Sequence, residues 1–349
     1  MKITPIKIRK RVVGEKHPTY VIAEIGSNFD GNISKAKKLI KIAKESGADA
    51  VKFQTFSTEK ILEKKGFEKR STFQKKWKKA VWDIYKKAEL PLSWHKELNQ
   101  YSKKIGIDFL STPYYKESID LLSELNMPVF KIGSGEITNL DLLRHVGETK
   151  KPIFLATGAS TMKEVQDAVK VIQKTNNKKI ILMQSITQYP SPIEQANLKV
   201  LNTFKKKFNL DVGYSDHSPG DLVILASVVL GACVVEKHFT LNKKANGPDH
   251  PHSMEPKEFS NMVKRIRILE KALGDGVKRV EECEIETRII QRRGIWTSKI
   301  IIKGTKFSKN NMRLLRPVRG VSANKFDVIL NKKAKRNLKS NVPIQESDF

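Results

Sequence analysis

From Tyr20 onward, short runs of β-branched apolar residues alternate with segments in which apolar residues recur at helical spacing. This alternation is typical of βαβ units that build a parallel sheet. The first unit is a predicted strand at Val21–Ile25 and a helix whose apolar face is Ile33, Ala36, Leu39, Ile40 and Ala43. Gly47 follows at the place of a C-terminal helix cap. The segment therefore predicts one complete strand–helix unit.

Seven further runs of the same kind follow, which makes eight predicted parallel strands. They are Ala50–Phe53, Asp108–Ser111, Val129–Ile132, Ile153–Ala156, Ile180–Gln184, Asp211–Tyr214 and Val234–Lys237. Eight strands with intervening helices favour a closed (β/α)8 TIM barrel, because no glycine-rich dinucleotide fingerprint follows the first strand. A Rossmann fold is the alternative.

The barrel pattern stops at Gly274-Asp275-Gly276, after a helix predicted at Phe259–Leu273. Residues 1–276 are predicted to form the barrel domain, with a hairpin in residues 1–19 that closes its bottom. A charged linker is predicted at 277–290 and a small β-rich domain at 291–349. The predicted strands of this domain are Ile295–Ile302, Met312–Arg316 and Phe326–Leu330.

The formal net charge is +29, and the segment from Arg288 to the end holds 16 basic and 3 acidic residues. Clustered basic residues suit nucleic acid, because they release counterions from phosphate backbones. The other lysines, however, are spread over helix faces, which favours solvated surfaces. A nucleic-acid-binding protein on a non-catalytic barrel stays as an alternative, although the basic tail offers only four aromatic residues for stacking.

Two cysteines, Cys233 and Cys283, have neither metal-ligand spacing nor the pattern of a disulfide scaffold, which favours a reducing compartment. Met1–Tyr20 lacks the apolar stretch of a signal peptide. The longest nearly apolar run, Leu222–Val235, has 14 residues, whereas a membrane span needs about 20. We therefore expect a cytoplasmic protein, with no membrane partner.

Polar or ionisable residues stand at all eight predicted strand ends, where barrel enzymes carry their catalytic groups. Lys52 and Lys131 lie within apolar strands, a costly place for a charge without an anionic partner. Gly133-Ser134-Gly135 adds backbone N–H groups and a hydroxyl that suit phosphate oxygens. These residues predict a bound phosphate or carboxylate.

His217 and His238 end successive strands, beside Asp216 and Glu236. Two imidazoles are too few for a closed zinc site, so the mixture of nitrogen and oxygen ligands favours Mn2+ or Mg2+. The loop Asn246–His252 brings another acid and two more histidines. The simplest interpretation is that this loop only forms a turn, but Asp249 could also hydrogen-bond substrate hydroxyls.

One connection, Ser57–Leu92, is much longer than the others and carries the basic run Lys-Lys-Trp-Lys-Lys at 75–79. Long loops at the top of a barrel are often functional.

Taken in order, the strand ends resemble the N-acetylneuraminate (sialic acid) synthase family, which includes legionaminic and pseudaminic acid synthases. The resemblance covers nearly the whole chain. It rests on the blocks Ala23–Gly26, Asp49–Gln54, Ser111–Pro113, Lys131–Glu136, Gly213–His217 and Glu236–Thr240. The tail resembles that family's antifreeze-like (SAF) domain, with Arg292-Arg293-Gly294 entering it and Arg316–Ser322 inside it.

The resemblance implies a transferase that condenses phosphoenolpyruvate with an N-acetylmannosamine-type sugar and releases inorganic phosphate. Implied phosphoenolpyruvate contacts are Lys52, Thr112, Lys131, Ser134 and Ser215; implied Mn2+ ligands are His217 and His238. Glu24, Gln54, Tyr189 and Asp249 would contact the sugar, and Glu136 would lie near the reacting carbons. The implied catalytic residues are Glu24, Lys52, Glu136, His217 and His238.

The resemblance also implies a domain-swapped homodimer, in which the SAF domain of one subunit covers the partner's barrel mouth and Arg316 reaches the sugar. Ala156 and Thr187 depart from the commoner family pattern, in which many members have Ser and some have Asn. Within the same class, a 3-deoxy-octulosonate 8-phosphate synthase is the alternative. The basic tail and the paired histidines argue against it.

Overall fold

A computed structural model describes residues 3–67, 74, 77 and 79–349. Most of the run at 75–79 lies outside these residues. The chain divides into two compact units, Met1–Gly274 and Asp275–Phe349, each with its own hydrophobic core.

The first unit is a barrel of eight parallel strands, as predicted. The strands are β3 (Tyr20–Glu24), β4 (Ala50–Thr55), β5 (Asp108–Pro113), β6 (Phe130–Ile132), β7 (Ile153–Ala156), β8 (Ile180–Ser185), β9 (Asp211–Asp216) and β10 (Ala232–His238). Their hydrogen-bonded order is β5-β4-β3-β10-β9-β8-β7-β6, and β5 lies beside β6, so the ring is nearly closed. Almost every strand residue is buried, because the strands are covered on both faces.

Helices follow the strands around the outside of the barrel. They are α1 (Ile33–Glu45), α2 (Thr58–Ile61), α3 (Val81–Ala88), α4 (Trp94–Ile105), α5 (Lys116–Glu124), α6 (Leu140–Glu148), α7 (Met162–Lys174), α8 (Val200–Phe208), α9 (Leu222–Val229) and α10 (Pro256–Leu273). On α1 the predicted apolar face is the buried one: Ala36, Leu39, Ile40 and Ala43. Gly47, just past the helix end, has a φ of +93°, which a glycine adopts without strain. Within the described ranges, no helix combines the length and the apolar character that a bilayer crossing requires.

A hairpin of β1 (Ile6–Ile8) and β2 (Arg11–Val13) precedes the barrel and contacts the amino ends of its strands. Arg9 pairs with Asp108 at 2.9 Å, and Arg11 pairs with Asp49. Asp49 also accepts a hydrogen bond from the backbone N–H of Val21 at 2.9 Å. These carboxylates tie the hairpin to the starts of β5, β4 and β3, at the face opposite the carboxyl ends of the strands.

The second unit contains α11 (Ile285–Gln291), β11 (Gly294–Thr297), β12 (Met312–Leu315) and α12 (Phe326–Ile329). β11 and β12 pair in antiparallel fashion, and isolated bridges at Ile301 and Lys306 add short extended segments. The strand predicted at Phe326–Leu330 is wrong, because Phe326–Ile329 is one turn of helix. The predicted strand at Ile295–Ile302 ends at Thr297, apart from the bridge at Ile301.

Candidate active site

Two lysines and two glutamates form a buried group at the carboxyl ends of neighbouring strands. Lys52 Nζ lies 2.8 Å from Glu24 Oε2 and 3.7 Å from Glu236 Oε2. Lys131 Nζ lies 3.3 Å from Glu236 Oε1 on the other side. Their side chains are 1–7% exposed, so the charges interact at low dielectric. We call Glu24, Lys52, Lys131 and Glu236 the charged quartet.

The two glutamates of the quartet differ in ionisation. Burial raises the pKa of Glu24 to about 7, and the charge of Lys52 only partly offsets that effect. Burial acts on Glu236 too, but Lys131 and Lys52 on either side hold the pKa of Glu236 below its ordinary value. Environments that separate the pKa values of neighbouring carboxyls are a mark of acid–base sites. Glu24 is therefore the member that can exchange a proton near neutral pH.

The lysines differ as well. Although burial disfavours its charge, Glu236 and Glu24 raise the pKa of Lys52 above the ordinary value. Burial lowers the pKa of Lys131, with Glu236 opposing this and the Lys52 charge adding to it. Both ammonium groups lie within 3.7 Å of the carboxylate of Glu236, so two positive charges are brought close together.

Two hydroxyl groups contact the quartet, and a third bonds to the backbone of a neighbouring loop. Lys52 Nζ donates to Thr112 Oγ1 at 3.0 Å, and Ser215 Oγ donates to Glu236 Oε1 at 2.9 Å. Ser134 Oγ accepts a hydrogen bond from the backbone N–H of Gly158 at 3.0 Å. A Cβ on Gly158 would come within 2.2 Å of Thr187 Oγ1, so this close approach requires glycine.

Three histidine rings lie next to the quartet and pack against one tyrosine. The ring of Tyr189 is centred 4.2 Å from His217, 6.1 Å from His238 and 5.1 Å from His252. The rings of His217 and His238 are 5.4 Å apart, and those of His238 and His252 are 4.7 Å apart. The imidazoles therefore share one volume.

His217 has a defined tautomer. Its Nδ1 lies 2.8 Å from the carbonyl oxygen of Ile186, which can only accept, so Nδ1 carries the proton. Burial lowers the pKa of His217 to about 3, so the ring is neutral at physiological pH. Nε2 then keeps a free electron pair, which is the state of a metal-ligating imidazole.

His238, Asp249 and His252 each offer a donor atom, and these atoms lie within 4.8 Å of one another. His217 is not a member of this group. Nδ1 of His238 and Nε2 of His252 are buried and have no hydrogen-bond partner among residues 3–67, 74, 77 and 79–349. Such orphaned nitrogen atoms are costly unless something binds them. The donor set fits a divalent metal ion.

A cavity of about 300 Å3 opens beside these histidines. Five predicted site residues line it: Gln54, Glu136, Tyr189, His238 and Asp249. Gln54 Nε2 donates to Glu24 Oε1 at 2.7 Å, which links the cavity to the quartet. Burial raises the pKa of Glu136. The other wall is apolar and comes from the long β4–α4 connection: Phe56, Ile61, Leu62, Trp77, Ile84, Tyr85 and Ala88.

Two strand-end acids do not stand where the sequence suggested. Asp216 was expected beside the histidines, but its Oδ2 accepts a hydrogen bond from Lys237 Nζ at 2.5 Å. Glu236 was expected there too and instead joins the lysines. The acid that accompanies His238 is Asp249, together with His252, a residue not predicted as a ligand. The signal for His252 was its place in a histidine-containing loop after the last strand.

Arg316 lies in the second unit, directly after β12, in the segment before Pro317.

Buried paired lysines, a carboxyl group that titrates near neutral pH and clustered imidazoles at strand ends define the centre of a barrel enzyme. Known proteins agree with this class. The pattern of the NeuB family matches residues 39–278, and that of the SAF domain matches residues 292–349.

An N,N'-diacetyllegionaminic acid synthase from Campylobacter jejuni is 43% identical over 333 residues, 94% of this chain and 99% of that protein. A pseudaminic acid synthase from Helicobacter pylori is 36% identical and covers 95% and 98% of the two chains. The crystal structure of an N-acetylneuraminic acid (sialic acid) synthetase from Leptospira borgpetersenii, in complex with citrate, superposes with a TM-score of 0.74 at 29% identity, over 81% and 95% of the chains. The protein belongs to the NeuB family and is an enzyme of the sialic acid synthase type.

Proposed function

We propose that the protein condenses phosphoenolpyruvate with an N-acetylmannosamine-type acetamido sugar, and that the products are a nine-carbon 2-keto acid and inorganic phosphate. Relatives named as legionaminic, pseudaminic and N-acetylneuraminic acid synthases support this class of reaction. The observation that carries the proposal is the convergence of Lys52 and Lys131 at the barrel mouth. Two buried ammonium groups with one fully ionised carboxylate between them leave positive charge for an anionic substrate.

In this proposal the quartet holds phosphoenolpyruvate. Lys52 and Lys131 bind its phosphate and carboxylate oxygens, and Thr112 and Ser134 donate hydroxyl hydrogen bonds. Ser215 donates a further one when its hydroxyl turns from Glu236 to the substrate. Donors fixed in place before the reaction stabilise charge that develops on the leaving phosphate, because they need no reorganisation.

The sugar occupies the adjoining cavity. Gln54, Tyr189 and Asp249 bind its hydroxyl and acetamido groups, and Glu136, which also lines the cavity, lies beside the reacting carbons. Such positioning brings the aldehyde carbon of the open-chain sugar to C3 of phosphoenolpyruvate, with which it forms the new bond.

We propose that His217 and His238 bind a divalent metal ion, Mn2+ or Mg2+. When bound, the ion would act as a Lewis acid toward the sugar aldehyde. The neutral state of His217 and the orphaned nitrogen of His238 support this assignment.

Glu24 is the residue that we assign to proton exchange. When protonated, Glu24 can give its proton to the aldehyde oxygen as the carbon–carbon bond forms. Its carboxylate can then take a proton from the water that adds at C2 of the oxocarbenium ion. A carboxylate with a pKa of about 7 can take that proton at neutral pH. The hemiketal phosphate then collapses: its C–O bond to phosphate breaks, the C2 hydroxyl gives its proton to the departing phosphate, and the 2-keto group forms. Lys52 and Lys131 hold the departing phosphate.

We further propose a cytoplasmic homodimer in which the SAF domain of one subunit covers the partner's barrel mouth and Arg316 binds the acetamido group of the sugar. The match of residues 292–349 to the SAF domain supports this arrangement.

The test is phosphate release from phosphoenolpyruvate with N-acetylmannosamine or its 2,4-diacetamido relatives, with and without Mn2+. Lys131→Met should lower kcat/KM at least about 100-fold, as loss of a charge-stabilising donor does. Lys163→Met is the matched control, because Lys163 is an exposed lysine on α7, and it should leave activity unchanged. Absence of phosphate release with every such sugar would contradict the proposal.

A further inference from the structure

The loop after β10 carries two histidines that differ in their surroundings. His250 is fully partnered: its Nδ1 shares a hydrogen bond with Thr240 Oγ1 at 2.6 Å, and its Nε2 lies 3.1 Å from Asp30 Oδ1. His250 thus serves the local structure. His252 lies two residues on, with its side chain 5% exposed and Nε2 lacking any hydrogen-bond partner in the described part of the chain.

The free nitrogen of His252 is directed to a shared volume. It lies 4.0 Å from Asp249 Oδ1, too long for a hydrogen bond. The other carboxylate oxygen of Asp249 is held by Ser27, whose N–H and Oγ–H donate to Oδ2 at 2.9 and 2.8 Å. Oδ1 therefore faces His252 while Oδ2 fixes the carboxylate in place.

One ion can bring these donors together. Donors that each lie about 2.1 Å from a single ion are at most about 4.2 Å apart. The donor atoms of His238, Asp249 and His252 already lie within 4.8 Å of one another. A small side-chain adjustment is enough to place all three on one ion.

We propose that His252 is an additional imidazole ligand of the metal ion that His217 and His238 bind, and that Asp249 offers its Oδ1 to the same ion in addition to its contact with the sugar. This inference rests on the metal site of the proposed function and extends it by a residue in the loop after β10. The added imidazole changes which ions the site prefers, since nitrogen donors suit Co2+, Mn2+ and Fe2+ better than Mg2+, which favours oxygen and retains its waters.

The experiment measures metal binding without substrate. The metal-free full-length protein is titrated with Co2+, followed by its visible absorption, and with Mn2+ and Mg2+, followed by calorimetry. His252→Ala should weaken Co2+ and Mn2+ binding by at least about tenfold, shift the Co2+ absorption bands and change Mg2+ affinity little. His145→Ala is the matched control, because His145 lies on α6 and pairs with Asp120 at 2.7 Å.

His252→Asn is included so that a folding defect in the alanine variant does not decide the result; it should show the same loss, since an amide oxygen replaces imidazole poorly for Co2+. Wild-type Co2+ affinity and spectrum in either folded variant would overturn the inference. If the wild-type protein binds no ion at one per subunit but still releases phosphate, both the inference and the metal assignment fail, while the condensation reaction stands.

Discussion

Glu24 is one of two glutamates in the charged quartet. Its pKa is raised to about 7, whereas the pKa of Glu236 is lowered. Its Oε1 accepts a hydrogen bond from Gln54, whereas Glu236 lies between two ammonium groups. Below pH 7 the charged quartet has a net charge of +1, and above pH 7, once Glu24 ionises, its net charge is zero. Affinity for an anionic substrate should therefore follow the protonation of Glu24.

We predict that the KM for phosphoenolpyruvate rises up to about tenfold between pH 6.5 and 8.5, as Glu24 ionises. The affinity changes about tenfold for each unit by which the bound anion raises the pKa of Glu24. The phosphate itself titrates near pH 6, outside this window. Glu24→Gln, which is neutral at every pH, should flatten the dependence of KM on pH even though kcat falls. Initial-rate measurements of both proteins across the window provide the check, and an equally steep KM profile in the variant would refute the assignment.

For single residues, the sequence predicted which side chains lie at the barrel mouth better than it predicted which side chains contact each other. Lys52, Lys131, His217 and His238 could be found because strand ends meet at a barrel mouth. The sequence did not predict which acidic residues contact these lysines and histidines. Adjacent strand residues point to opposite faces, so Glu236 turns inward to the lysines while Lys237 turns outward to Asp216. His252 was not predicted as a ligand because it lies in a loop, and a loop has no hydrophobic periodicity from which the direction of its side chains can be predicted.

Among the elements, the turn after β3 and the loop after β10 depend on each other. Gly26 has a φ of +52°, and a Cβ built on it would lie 2.5 Å from Asp249 Oδ2. The backbone of the turn after β3 therefore holds the carboxylate of Asp249, which lies in the loop after β10. The backbone N–H of Ser27 also donates a hydrogen bond to this carboxylate.

We predict that Gly26→Ala displaces Asp249 and lowers kcat/KM about tenfold or more, chiefly through the KM for the sugar. Alanine should be tolerated at Gly66, where φ is outside the left-handed region and a Cβ would meet only Glu63 Cβ, at 3.9 Å. Steady-state kinetics of the two variants, with thermal unfolding to confirm folding, test this. Equal sugar KM values in Gly26→Ala and wild type would contradict the coupling of the two elements.

Element types were predicted well where they were long or repeated. All eight barrel strands lie where the apolar runs placed them, because alternation with helices confirms each run. The run Phe326–Leu330 had no such support: five residues with one acid fit a strand or a helical turn equally well. The structure has a helical turn there, with Asp327 in its first turn, a position that favours an acid.

For the whole molecule, the quartet carries an energetic cost besides the role in substrate binding that we propose for it. Burying a pair of opposite charges costs solvation free energy that their attraction often does not return. Replacing one complete pair by neutral side chains of similar size should therefore leave the fold as stable or more stable, whereas removing one partner should weaken it.

We predict that the double variant Lys131→Met/Glu236→Gln unfolds with a free energy equal to or up to about 4 kcal/mol above that of the wild type, while activity is lost. Lys131→Met alone should be less stable than the double variant, because Glu236 loses its nearer cation. Urea unfolding of the three proteins gives the comparison. A double variant less stable than the single one would show that the pair stabilises the fold.

The quartet also bears on how this protein could be engineered. A laboratory selection that rewards heat resistance alone would favour chains in which these four positions become apolar, and such chains would keep the barrel while they lose turnover. Selection for thermal stability therefore has to be combined with a growth requirement for the product. Without that requirement, the first substitutions to accumulate would be those that abolish catalytic activity.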